Sequence, residues 1–156
     1  MTDAERAAEL AAEVSRLARS TGRTVAAAET LTGGALCAAL AAAESSSTWF
    51  RGGVVACADG VAEAVLDVPD GQVHSAAAAR AMGVRARALL SADVAVAVTG
   101  ADDASVFLTV ADGSESGSEP LRSNLGRSTA VVNALELLVE RLRLPAVSST
   151  GPIGSG

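Results

Sequence analysis

Apolar residues recur along the chain at two spacings, one typical of amphipathic helices and the other of buried strands. A capping box of Thr2 and Glu5 opens the first helical stripe, which ends before Gly22. Its apolar members are Ala7, Leu10, Val14 and Leu17. Further helices are predicted over residues 33–43, 61–66, 75–90 and 128–143. Apolar runs predict strands over residues 23–28, 54–58, 94–98 and 106–111.

Strands that alternate with helices indicate an α/β fold. Several of the strands are apolar throughout, which is typical of a sheet that is covered on both faces. We therefore expect a three-layer α/β/α sandwich with a mostly parallel or mixed sheet. One domain is predicted over residues 1–144, with a surface loop at 113–120 and a flexible tail at 145–156.

Composition narrows the function classes. The chain has 156 residues, of which 49% are hydrophobic and only 2% aromatic, so the core must be built from closely packed Ala, Val and Leu. All basic residues are Arg, they are scattered, and the net charge is −6, which argues against a nucleic-acid surface. No apolar run reaches the length of a membrane span, so we expect a cytoplasmic protein that does not bind membranes.

The most informative segment is Val25–Gly34, which combines a buried strand, a turn with hydroxyl groups and the start of a helix. Backbone N–H groups at such a helix start attract an anion or a developing oxyanion. Two hydroxyls, Thr30 and Thr32, and the carboxylate of Glu29 lie in the same turn, which suits phosphate binding or acyl transfer. The alternative is structural: the threonines cap a helix, and Gly33 and Gly34 only allow tight helix–strand packing.

The same turn resembles a known family. Residues Glu29–Gly34 are similar to the Glu-Ser-x-Thr-Gly-Gly signature of the CinA C-terminal domain, the family of nicotinamide-nucleotide amidohydrolases. Phe50–Val55 resembles its Phe-x-Gly-Gly-Val-Val strand, and Val94–Gly100 resembles its Ile-Ala-Val-Thr-Gly strand end. The resemblance runs over about residues 5–143 and implies deamidation of nicotinamide mononucleotide, with no metal and no other cofactor.

The resemblance also implies a set of site residues, and this chain departs from it. Thr30 stands where the family has its nucleophilic Ser. The positions of the accompanying Tyr and Lys hold Cys57 and Ala62, and the chain contains neither Tyr nor Lys. Thr99 and Gly100 match the family's Thr-Gly pair at a strand end, which in the family is followed by a Gly/Pro-rich segment that helps to wall the site. The loop after them is shortened, and its two Asp residues either repel a phosphate or form a plain turn; they are Asp102 and Asp103.

Other candidate groups have structural alternatives. Cys57 is either a replacement nucleophile or a buried thiol on an apolar strand, and Cys37 is interpreted as a packing residue. His74, the only histidine, is either a general base or a solvated turn residue. Glu29 is the best candidate carboxylate, because it could orient a Thr hydroxyl or an Arg. Arg51 and Arg127 either hold a phosphate or form surface ion pairs.

Three functions remain open from the sequence. The favoured one is a non-catalytic or weakly active family member that keeps a nucleotide-sized crevice with Thr32, Gly33, Gly34, Thr99 and Gly100 as its ligand-binding residues. The second is an active amidohydrolase that uses Thr30 as nucleophile, helped by Glu29 or water. The third is a structural subunit that pairs with an intact homologue. The expected partners are a small nucleotide and further copies of the chain, as a homo-oligomer.

Overall fold

A computed structural model describes residues 1–101, 105–114 and 127–146. The helices are α1 (Asp3–Thr21), α2 (Ala35–Ala41), α3 (Ser46–Trp49), α4 (Asp59–Val65), α5 (Ala76–Leu89) and α6 (Arg127–Arg143). The strands are β1 (Val25–Glu29), β2 (Phe50–Val55), β3 (Val94–Gly100) and β4 (Val106–Ala111). The predicted Asp102 and Asp103 turn lies outside the described residues, as do 115–120 of the predicted loop and 147–156 of the predicted tail.

Both ends of α1 are as the sequence predicts. The Thr2 hydroxyl accepts a hydrogen bond from the Glu5 amide at 3.1 Å, and the Glu5 carboxylate accepts one from the Thr2 amide at 2.8 Å. These bonds complete the predicted capping box. Gly22 ends the helix with φ 68°, a left-handed conformation that glycine adopts without steric cost.

The sheet has the strand order β2-β1-β3-β4. The central strand β1 pairs in parallel with both β2 and β3, while β4 pairs antiparallel with β3. The predicted mixed α/β sheet is confirmed. The carboxyl ends of β1, β2 and β3 therefore meet at one edge, where ligands bind in open α/β sheets.

Helices cover both faces of the sheet, and the strand residues alternate between the two layers. One face packs against α1, α2, α3 and α6 through residues such as Val25, Ala27 and Val96. The other face is lined by alanines of β1 and β3 and packs against α4 and α5. There α5 comes very close to the sheet, since a Cβ on Gly83 would lie 2.9 Å from Cγ2 of Thr109.

Some predicted boundaries are wrong. The segment around 44–48, predicted as a polar turn, contains the short helix α3, because the buried Trp49 anchors it and donates its indole N–H to the Glu44 carbonyl at 3.1 Å. The second strand is Phe50–Val55 rather than 54–58. Its two glycines, Gly52 and Gly53, weakened the strand signal. No described helix combines the length and the apolar character that crossing a membrane requires.

A nearly buried ion pair ties the end of β4 to α6. Arg141 donates to the Asp112 carboxylate at 2.6 Å, and the two side chains are only 18% and 10% exposed. Burial opposes ionisation of Asp112, but hydrogen bonds from Ser114 and Arg141 outweigh it and lower the pKa of Asp112. The ionised pair therefore stabilises the folded state at neutral pH.

We expect Asp112→Asn to lower the free energy of unfolding at pH 7 by about 3 kcal/mol, because it leaves a buried guanidinium without its charge partner. A carboxyl group with a lowered folded-state pKa stabilises the fold above its unfolded pKa of about 3.9, and this contribution is lost as the pH falls through the folded-state pKa. The difference between the two proteins in urea denaturation should therefore shrink below about pH 4. Glu136→Gln, which removes an exposed partner of Arg6, serves as the control and should change stability by less than about 1 kcal/mol.

Candidate functional site

The last residues of β1 send their side chains to opposite faces of the sheet. Ala27 packs in the layer of α1, α2 and α6, whereas Ala28 packs in the layer of α4 and α5. Because successive side chains of a strand alternate, Glu29 points toward α2 and Thr30 toward α5. Their hydrogen bonds agree with this assignment. The turn therefore contains two distinct groups of polar side chains rather than one.

The carboxylate of Glu29 is fully buried and binds the start of α2. Its Oε1 accepts from the Thr32 hydroxyl and from the amides of Gly34 at 2.9 Å and Leu36 at 3.2 Å. Its Oε2 accepts from the Cys37 amide at 2.7 Å. Glu29 thus orients a Thr hydroxyl, as the sequence suggested, but the hydroxyl belongs to Thr32 rather than to the candidate nucleophile.

The helix start at Gly33 and Gly34 already holds an anion from the chain itself. The Gly34 amide, expected to donate to a ligand, donates to Glu29 instead. Both glycines have positive φ, 61° and 102°, so the turn needs them for its backbone conformation. A Val at position 33 would be strained by this conformation, although no atom lies within 4 Å of the added Cβ.

Cys37 lies in the same group of side chains as Glu29, and its thiol is expected to be unreactive. Burial, reinforced by the neighbouring Glu29 carboxylate, raises the pKa of the Cys37 thiol far above its ordinary value. A thiol in this state provides no thiolate for nucleophilic attack. The interpretation of Cys37 as a packing residue fits this position, half-buried between α2 and the sheet.

On the opposite face, Thr30 and Thr99 form a short chain of hydrogen bonds. The two hydroxyl oxygens are 2.7 Å apart, and the Thr99 hydroxyl donates to the Val73 carbonyl at 2.6 Å. A carbonyl can only accept, so the single hydroxyl hydrogen of Thr99 must lie on this bond. Thr30 is therefore the donor to Thr99. The structure thus brings Thr30 and Thr99 together, as their positions at neighbouring strand ends predict.

This direction of donation decides what Thr30 can do. Its only hydroxyl hydrogen is used, so the oxygen offers lone pairs to a ligand donor. Removal of that hydrogen would have to proceed through Thr99 to the carbonyl of Val73, which is a very weak base. Val73 was not recognised in the sequence, because an apolar residue that acts through its backbone carbonyl leaves no signal there.

The segment after β2 borders the same face. The Ala56 amide donates to the Glu29 carbonyl at 2.9 Å, which places the following residues beside Thr30. Cys57 is exposed, so its interpretation as a buried strand residue is wrong; β2 ends at Val55, before it. Ala62, at the position where the resemblance implies a Lys, is fully buried on α4.

The remaining candidates have structural surroundings. A Cβ on Gly100 would lie 2.3 Å from the Ser105 carbonyl oxygen, so this glycine permits the close approach of Ser105 to the end of β3. Arg51 lies at the amino end of β2, away from this edge, and donates to the Leu90 carbonyl at 3.0 Å. Arg127 begins α6. Within the described ranges, His, Cys, Asp and Glu do not gather in groups of three that could hold a metal ion.

Comparison with known proteins decides the family. The model of the CinA C-terminal domain matches residues 7–107 of this chain. The chain belongs to the CinA C-terminal domain family. A CinA-like protein from Parasynechococcus marenigrum is 36% identical over 155 residues, which cover 85% of this chain and 37% of that protein. One from Synechococcus sp. RCC307 is 44% identical over 97 residues, covering 58% and 23%. The chain thus spans well under half the length of these CinA-like relatives.

Solved structures agree with the CinA fold. A competence-damaged protein (CinA) superfamily protein from Enterobacter cloacae superposes with a TM-score of 0.79 at 24% identity, covering 87% of this chain and 92% of that one. The competence damage-inducible protein A from Klebsiella pneumoniae gives a TM-score of 0.74 at 28% identity, covering 88% and 95%. The four-stranded mixed sheet with helices on both faces is therefore the CinA fold.

The two groups of polar side chains predict different effects of substitution. Glu29→Gln should lower the free energy of unfolding by at least about 2 kcal/mol, because an amide nitrogen replaces one acceptor and leaves buried N–H donors unsatisfied. Thr30→Val, one residue further, removes a single hydrogen bond and should cost about 1 kcal/mol. Urea denaturation of both variants measures the difference. Equal stability of Glu29→Gln and the wild type would contradict a structural role for Glu29.

Proposed function

We propose that this CinA domain binds a nucleotide at the Thr30–Thr99 edge and has weak or no amidase activity. The observation that carries the proposal is the fixed direction of donation from Thr30 to Thr99 to the Val73 carbonyl. It leaves the Thr30 oxygen as a hydrogen-bond acceptor at the edge where α/β sheets bind ligands. The carboxamide of nicotinamide mononucleotide carries N–H donors that suit this acceptor.

Weak catalysis follows from the groups around Thr30. A nucleophilic hydroxyl needs a base to take its proton, and the leaving amine needs an acid. The Thr30 hydroxyl donates its proton to Thr99, and the Thr99 hydroxyl donates to the Val73 carbonyl. Neither hydroxyl is therefore hydrogen-bonded to a general base. Glu29 binds the start of α2 on the other face of the sheet. The exposed Cys57 stands where the family's Tyr is expected, and the buried Ala62 stands where its Lys is expected.

The competing function is active deamidation of nicotinamide mononucleotide with Thr30 as nucleophile. We expect ammonia release by this chain to be at least about 100-fold slower than by a family member that has the Ser, Tyr and Lys, because positioned acid–base groups contribute at least that factor. A coupled ammonia assay on both purified proteins measures the ratio. Turnover equal to that of the complete homologue, and abolished by Thr30→Ala, would establish the competing function instead.

The binding itself gives a separate prediction. Thr30→Val keeps the branched shape but removes the acceptor, and it should weaken binding of nicotinamide mononucleotide about threefold to tenfold, the value of one hydrogen bond. Thr24→Val is the matched control, because Thr24 directly precedes the first residue of β1, at the opposite end of the strand. It should leave the affinity unchanged. Calorimetric titration measures both. If the wild-type protein shows no detectable binding at millimolar nucleotide, the proposal is overturned and the structural-subunit function is favoured. Size-exclusion chromatography would then test whether the chain associates with itself.

A further inference from the structure

The only histidine, His74, directly follows the residue whose carbonyl accepts the Thr99 hydroxyl, and its ring lies close to a carboxylate. His74 Nε2 lies 3.4 Å from Oδ1 of Asp59, and the two side chains are 44% and 61% exposed. Asp59 begins α4, and His74 directly precedes the N-cap of α5. Both helices cover the face of the sheet toward which Thr30 points. A solvated turn histidine was one interpretation of the sequence; the structure adds a specific carboxylate partner.

Both members of the pair follow closely in sequence on residues that bond to the strand ends beside the two hydroxyls. His74 directly follows Val73, whose carbonyl accepts from Thr99, and consecutive Cα atoms are about 3.8 Å apart. Asp59 lies three residues after Ala56, whose amide donates to the Glu29 carbonyl just before Thr30. The backbone of His74 therefore lies at the same edge of the sheet as the two hydroxyls, and its side chain is 44% exposed.

We propose that His74 is the proton-transferring group of this site and that Asp59 positions its ring. The proposal rests on the proposed binding of a carboxamide nucleotide, and it assigns to His74 the weak amidase activity that the proposed function allows. Asp59 faces Nε2, so in the tautomer that carries its proton on Nε2 the lone pair of Nδ1 is available as the base. Thr30 then contributes as an acceptor that holds the carboxamide, and the attacking group is water rather than the Thr30 hydroxyl.

The chemical step balances with water as the only co-reactant. Nδ1 of His74 takes one proton from water while the water oxygen bonds to the carboxamide carbon, giving a tetrahedral intermediate. The imidazolium returns that proton to the amide nitrogen, the C–N bond breaks, and ammonia leaves as the carboxylic acid forms. The histidine ends the cycle neutral, as it began.

The other candidate groups near the turn differ from the His74–Asp59 pair in their surroundings. Glu29 and Cys37 belong to the opposite face, and Cys57 lacks a charged partner among the described residues. An exposed ion pair contributes little to stability, so substitution of His74 or Asp59 should leave the fold intact. The pair can therefore be tested in folded protein.

The experiment compares wild type, His74→Gln and Asp59→Asn with nicotinamide mononucleotide as the probe. His74→Gln should lower kcat for ammonia release at least about 100-fold while the calorimetric affinity stays within about twofold. Asp59→Asn should lower kcat less, again at unchanged affinity. The matched control is Asp67→Asn, which breaks the Arg85–Asp67 pair, also 3.4 Å long and exposed, and should leave kcat unchanged.

Chemical rescue separates proton transfer from a structural role. Imidazole added to His74→Ala should restore part of the lost turnover, and it should not affect Thr30→Val. Wild-type binding without any turnover, or turnover insensitive to His74→Gln, would overturn the role of His74 and leave the proposed binding function standing. Absence of nucleotide binding by the wild type would instead overturn the proposed function itself.

Discussion

The buried Glu29 carboxylate is the interaction on which the carboxyl edge of the sheet depends. Its four hydrogen bonds join the end of β1 to the first turn of α2, a helix of only seven residues with no side-chain cap of its own. A helix this short has little intrinsic stability. The carboxylate supplies the missing acceptors and the charge that a helix start favours. It therefore fixes the turn from which Thr30 extends.

At this turn, the side chain that holds the fold and the side chain that faces the ligand edge belong to consecutive residues. One residue of strand alternation places Glu29 in one layer and Thr30 in the other. The family signature over these residues thus has two parts: Glu29 holds α2, and Thr30 donates to Thr99, which donates to the Val73 carbonyl. The residues that hold α2 and the residues that form the hydroxyl chain are therefore physically separate parts of this turn.

Much of the fold could be predicted from the sequence, because its signals are local. The capping box at Thr2 and the left-handed Gly22 follow from residue types, and uniformly apolar strands predict a sheet that is covered on both faces. The meeting of Thr30 with Thr99 followed from parallel strand order. The carbonyl of Val73 could not be predicted, since backbone atoms carry no residue signature, and the Asp59 partner of His74 depends on how α4 and α5 pack.

The small alanine side chains between α5 and the sheet also affect the hydrogen bonds that join Thr30, Thr99 and the Val73 carbonyl. Val73 lies just before α5. The distance between that helix and the sheet therefore determines the length of the hydrogen bond from Thr99 to the Val73 carbonyl. Gly83, in the middle of α5, allows the close approach to Thr109. A larger side chain there would lift the helix and lengthen the bond at Thr99. The volume of one core residue under α5 thus influences the hydrogen-bond geometry of the hydroxyls at the carboxyl edge of the sheet.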